Sequence, residues 1–121
     1  MLKFNVRVNI KTDQLHSKRT SAKRAAQMQV DQDVLKDSNY YAPQDEGTLI
    51  RSGVLSSLIG KGRVIWNTVY ARRLYYNPQY NFSKDRNPNA QGLWFEAAKA
   101  EKKDTWLKDA KSNYQRYFNG K

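Results

Sequence analysis

From about Thr12 to about Lys36 the chain has neither proline nor glycine, and Ala22, Ala26, Val30 and Val34 recur at every fourth position beside Leu15, Ala25 and Leu35. Side chains spaced by four fall on one face of a helix, so the spacing predicts a single long amphipathic helix, with Thr12 or Asp13 as its N-cap. Small residues in the stripe let a second helix or a sheet approach closely. Lys18, Arg19, Lys23 and Arg24 form the basic face. The stretch that follows, "DSNYYAPQDEGTLIRSG" at 37–53, has to stop this helix. Pro43 fixes its own φ and pushes Ala42 toward extended geometry, which makes a corner after Tyr41. Gly47 can then take a positive φ, and Thr48 can cap a short turn through Leu49, Ile50 and Arg51.

The other elements are shorter or less regular. Leu2, Phe4, Val6, Val8 and Ile10 alternate with polar residues, the period of a strand with one buried face. In "GVLSSLIGKGRVIWNT", Gly60-Lys61-Gly62 separates two apolar runs. This predicts a hairpin with Val54, Leu55, Leu58 and Ile59 on one strand and Val64, Ile65 and Trp66 on the other. "VYARRLYY" reads as a short helix or an extended edge. Residues 77–92, "NPQYNFSKDRNPNAQG", have no period and read as a long loop, flexible or ordered by a partner. From Leu93 to Phe118 a second long helix is expected, with Leu107, Ala110, Tyr114 and Tyr117 on its inner face, extended by Ala97, Ala100 and Trp106, and Gly120 as its stop. The order strand, helix, strand, strand, helix implies an α+β fold: a small antiparallel sheet packed against two long α-helices. At 121 residues the chain fits a single domain.

Composition narrows the function. Lys and Arg number 22 against 11 Asp and Glu, a net charge of +11, which invites a nucleic-acid reading. The cations are spread through all thirds of the chain with acids among them, so no single groove is indicated. Cysteine is absent, which removes disulfides and thiolate metal sites and suits a protein that matures in a reducing cytoplasm. No long apolar run predicts a membrane span. Enzymatic constellations are scarce as well. His16 is the only histidine and has no ligand-spaced neighbours; Asp45 and Glu46 read as turn acids; Ser52, Ser56 and Ser57 lack a base; Gly60-Lys61-Gly62 is too short for a phosphate loop. The reading is a non-enzyme with no metal or cofactor. Tyr70, Arg72, Arg73, Tyr75 and Tyr76 combine the residue types enriched at protein interfaces, and Tyr80 and Phe82 in the long loop extend that candidate set.

Three segments in order resemble a known family. "YYAPQDEGTLIRSG" is similar to a segment of the small minor capsid proteins of long-tailed bacteriophages, as are "VIWNTVYARRLYY" and "NPNAQGLWFEAAKAEKKDTW". Tyr41, Pro43, Gly47, Leu49, Ser52, Trp66 and Trp94 carry the motif, and the resemblance implies that Ser52 begins the sheet. Ala42 stands where the family usually has a larger β-branched residue, and Val69 where proline is common. The resemblance implies a tail-completion or head-tail joining protein in the virion neck, forming a hexameric homo-oligomeric ring between connector or stopper and tail-terminator proteins, with possible non-specific contact to DNA in the channel. The alternative from the residues alone is a basic nucleic-acid-binding protein without enzymatic activity.

Overall fold

The structure, a computed structural model, describes residues 2–8, 16–43, 47–77 and 87–118. The elements in chain order are β1 (Leu2–Asn5), α1 (His16–Tyr40), α2 (Thr48–Ser56), β2 (Arg63–Trp66), α3 (Ala71–Tyr75) and α4 (Trp94–Phe118). The expected α+β fold is present, with β1 and β2 antiparallel in one two-stranded sheet and two helices of 25 residues each. The expected caps Thr12 and Asp13, together with Ile10, Leu15, Asp45, Glu46, Tyr80, Phe82 and Gly120, lie outside the described residues, as do the side chains of His16, Lys18 and Arg19.

Helices α1 and α4 make the most extensive contact between elements. The α1 stripe is buried as its spacing predicts, at Ala22, Ala26, Val30, Val34 and Leu35. Opposite it α4 buries Trp94, Ala98, Trp106, Ala110 and Tyr114. Leu107 and Tyr117, expected inside, are 50% and 49% exposed, and Ala100 is exposed too. Trp106, Ala110 and Tyr114 take the inward line at a spacing of four. Leu107, one residue on from Trp106, is rotated by about 100° away from it.

The first strand of the expected hairpin is instead the helix α2, and of that run only Leu58 bridges to β2, at Arg63. Gly47, at φ 73°, starts the helix, and Leu49 and Gly53, four apart, face inward. A Cβ on Gly53 would lie 2.6 Å from Trp66 Nε1, so only glycine lets α2 come this close to β2. Ser52 therefore sits within a helix and does not begin the sheet. The serines of this region serve the sheet differently: Ser57 Oγ accepts from Ile65 N–H at 2.8 Å, and Ser52 Oγ accepts from Asn67 N–H at 3.2 Å.

Buried polar groups fix the sheet against α1. Asp31 is completely buried, and its Oδ2 accepts N–H bonds from Gly60 at 2.7 Å and Gly62 at 2.9 Å, while Gln27 Nε2 donates to its Oδ1 at 2.8 Å. The turn offers both N–H groups together because Gly60 and Gly62 hold φ of 93° and 76°. Gln27 continues the ladder beyond the turn: its Oε1 accepts from Val8 N–H at 2.9 Å and its Nε2 donates to the Val6 carbonyl at 3.0 Å. Burial pushes the Asp31 carboxyl up from its ordinary pKa of 3.8, and the bonds from Gly62, Gln27 and Gly60 pull against that.

The other end of α1 is tied down by the segment 87–92. Asn87 Nδ2 donates to the carbonyls of Tyr40 and Ala42, both at 2.8 Å, and Gln91 N–H donates to the Tyr41 carbonyl at 3.0 Å. These satisfy carbonyls that a helix end leaves without intrahelical partners. This part of the long loop is thus ordered within the chain, against the corner at Pro43.

A second acid lies in the α1–α4 contact. Asp33 accepts from Gln29 Nε2 at 2.9 Å, and Gln29 Oε1 accepts from Asn113 Nδ2 at 3.0 Å. The other Asp33 oxygen is buried with no donor while the group is ionised, and Asp109 faces it. Burial first, and then the neighbouring Asp109, raise its pKa to about 6. Shared between the two carboxyls, one proton makes a hydrogen bond that two carboxylates cannot.

Two outcomes follow for stability. Asp31→Ala strands two buried N–H groups and should lower the unfolding free energy by about 2–4 kcal/mol in urea titration. For Asp33 the folded pKa lies above the unfolded value, so its contribution is full below about pH 4 and is lost as pH rises through about 6. Asp33→Asn should therefore match the unsubstituted protein in denaturation midpoint near pH 4 and exceed it at pH 7.5.

Candidate interaction surface

The segment from β2 to α3 divides its side chains by helical spacing. Ala71 and Tyr75, four apart, are fully buried, whereas Arg72, Arg73 and Tyr76 are exposed and Tyr70 is half-buried. The inward pair anchors the helix in an aromatic core. The Tyr75 ring meets Trp94 edge-on at 4.8 Å and Phe4 at 5.2 Å, and Trp66 meets Trp94 edge-on at 5.9 Å. From the far side, Leu93 N–H donates to the Tyr75 carbonyl at 2.9 Å. Tyr75 thus belongs to the subunit's own core and not to its surface.

The outward residues are held in a defined array. The Arg72 guanidinium lies 6.0 Å from the centre of the Tyr76 ring, within reach of a cation–π contact. Asn77 Nδ2 donates to the Arg73 carbonyl at 2.6 Å and the Tyr76 N–H to that of Arg72 at 3.0 Å, closing the C-terminus of α3. Two cations and an aromatic ring therefore stand on a short helix whose opposite side is locked into the core. The preceding turn, tied to α2 through Asn67 and Ser52, presents Val69 fully to solvent, and α2 adds Val54 and Leu55 at 59% and 78% exposure.

The motif residues lie in the frame behind this surface. Trp66 and Trp94 are fully buried, and Trp66 Nε1 donates to Asn39 Oδ1 at 2.9 Å. Leu49 and Pro43 are buried, and Tyr41 is half-buried with its ring edge-on to Tyr40 at 5.0 Å. Of the polar residues that organise the fold, Asn87 opens one of the family-like segments, whereas Gln27 and Asp31 carry no motif. The one signal of those two is a carboxylate and an amide four apart on α1, directly beside the apolar stripe. Among the described residues no group of three or more His, Cys, Asp or Glu is placed to hold a metal ion, and no helix is long and apolar enough to cross a membrane.

A family model described as minor capsid protein matches residues 5–113. The chain belongs to that family. The match runs from β1 through most of α4, so it includes the corner, the aromatic core and the α3 surface. No curated protein and no solved structure matches the chain. Family membership makes this a structural protein of the bacteriophage virion. For such a protein the working parts are surfaces that meet neighbours.

Neighbouring residues of α3 should behave in opposite ways. Tyr75→Ala, which empties a fully buried ring site, should cost about 3–5 kcal/mol, while the exposed Tyr76→Ala should change stability by less than about 0.5 kcal/mol. Among the described residues the buried Tyr75 hydroxyl has no hydrogen-bond partner, so Tyr75→Phe should keep full stability in the same thermal or urea unfolding measurement.

Proposed function

We propose that this minor capsid protein is a neck component, joining the head connector to the tail as one subunit of a hexameric ring. The observation that carries the reading is the α3 surface: Arg72, Arg73 and Tyr76 stand exposed on a helix whose other face is buried in the core. Exposed arginine and tyrosine on a rigid element fit a contact with another protein chain, because their orientation is settled before the partner arrives. Exposed Val54, Leu55 and Val69 give the same side of the sequence apolar area that a neighbouring subunit would cover. In a cyclic ring each subunit meets the next head to tail through two different patches, of which this mixed cationic and apolar surface would be one. The proposed neighbours are the connector or stopper protein on one side and the tail-terminator protein on the other, after assembly in the host cytoplasm. The spread of cations over both long helices favours protein neighbours over a dedicated DNA groove.

Light scattering on the purified protein, alone and with nuclease-treated heads or tails, tests this. A ring, or a monomer that becomes one on the particles, supports the neck reading. A monomer that ignores both particles and binds random duplex DNA with a steep salt dependence overturns it. The double substitution Arg72→Glu and Arg73→Glu should leave unfolding unchanged within about 0.5 kcal/mol, since both side chains are exposed, and should abolish ring or particle association.

A further inference from the structure

The register of the sheet decides which way each backbone group of β1 points. Val6 N–H donates to the Gly62 carbonyl at 2.7 Å, and the pairs Leu2↔Trp66 and Phe4↔Val64 have the same parity. In an antiparallel ladder alternate residues face opposite edges, so the N–H and C=O groups of Lys3 and Asn5 point away from β2. The outer edge of β2 is closed: Leu58 N–H bonds to the Arg63 carbonyl at 2.9 Å, and Ser57 and Ser52 take the N–H groups of Ile65 and Asn67. Among the described residues nothing bonds the outward groups of Lys3 and Asn5, whose side chains are exposed. One edge of the sheet is sealed and the other is open.

A groove of about 200 Å³ adjoins the open edge, between β1 and α4. Val8, Val34 and Phe95 contribute to its apolar floor, and Arg7, Lys99 and Lys103 stand among its lining residues. The Lys99 ammonium lies 6.0 Å from the centre of the Phe95 ring. Among the described residues no carboxylate lines the groove. A second copy of β1 would bring further cations, Lys3 and Arg7, to an edge already flanked by Arg7, Lys99 and Lys103, and like charges brought together destabilise a strand pair.

We propose that the open edge of β1 and this groove together dock an extended acidic segment of a partner protein. The segment adds a strand to β1 through the outward groups of Lys3 and Asn5. Its side chains alternate between the faces of the lengthened sheet: apolar ones enter the groove, carboxylates on the other face meet Lys3 and Arg7, and Lys99 and Lys103 at the groove add a positive field that favours an acidic segment. This deepens the proposed function by naming the chemistry of a neighbour, and it rests on that reading only for the neighbour's being a virion protein.

The test uses the full chain and a labelled, end-capped nonapeptide that alternates Glu with Val and Phe, followed by fluorescence anisotropy. The expected result is saturable binding that weakens at least tenfold between about 50 mM and 500 mM salt. Lys99→Glu with Lys103→Glu should weaken it at least tenfold. Asn5→Pro removes an outward donor and none of the bonds to β2, a change that an edge strand tolerates, and should abolish binding with the circular dichroism unchanged. Amide hydrogen exchange reads the same contact without substitution: the peptide should slow exchange at Lys3 and Asn5. Absence of binding, equal binding of a peptide with Lys in place of Glu, or no slowing at those amides would overturn the proposal. So would a concentration-dependent dimer that Asn5→Pro abolishes, which assigns the edge to a second copy. No virion particle enters this assay, so its failure leaves the neck reading standing, and failure of particle association leaves this result standing.

Discussion

Much of this fold depends on how one buried carboxylate is satisfied. Asp31 sits on α1 with no exposure to solvent, and it is kept there by two N–H groups of the glycine turn and an amide of its own helix. A buried acid without such partners is strongly unfavourable, so the bonds do more than add stability: they select one position of the turn on the helix. Once the turn is placed, β2 follows, and β1 pairs with it in a single register from Leu2↔Trp66 to Asn5↔Arg63. Gln27, one helical turn earlier, holds the continuation of β1 at Val6 and Val8. A small two-stranded sheet, marginal by itself, is thereby clamped to the longest contact surface in the molecule.

The aromatic core joins the remaining pieces. Phe4 from β1, Trp66 from β2, Tyr75 from α3 and Trp94 and Phe95 from α4 meet within ring distances of 4.6 to 6.0 Å. The five rings come from four elements of the chain, so the cluster closes the fold over long sequence separations. The Asn87 side chain performs a similar service for the corner after α1, where its amide bonds the Tyr40 and Ala42 carbonyls. Rigid anchoring on the inside leaves Arg72, Arg73 and Tyr76 as an ordered outer surface. That is a useful division of labour in a virion protein, whose function is to meet neighbours in fixed geometry.

Two features of different origin bear on those neighbours. The α3 surface is built from side chains, and the partner proposed for it would be recognised through charge and stacking. The β1 edge is built from backbone, and the partner proposed for it would be recognised through strand pairing, with the cationic groove setting the sign of the charge that fits. The serine hydroxyls that close β2 are what make the β1 edge singular. With both edges open, a two-stranded sheet would pair indiscriminately.

Local periodicity was legible in the residues themselves. The long α1, its buried stripe of Ala22, Ala26, Val30 and Val34, the first strand, the stop before Pro43 and the glycine turn all follow from spacing and backbone chemistry, and the family is written in the segments around Trp66 and Trp94. The run Val54, Leu55, Leu58 and Ile59 reads as a strand, and that expectation fails because a short apolar run fits a helix equally well. It was the close approach of Gly53 to Trp66 that decided for α2. Likewise nothing local distinguishes the buried Tyr75 from the exposed Tyr76, or Trp106 from Leu107; only the direction of the neighbouring elements does. The sequence by itself determined the two long helices, the start of the first strand and the corner and glycine turn, since those depend on dihedral preferences and on contacts a few residues apart. The tertiary structure alone decided which face is inside, which polar groups are satisfied and which sheet edge stays open, because each of those is settled by atoms that are distant in the chain.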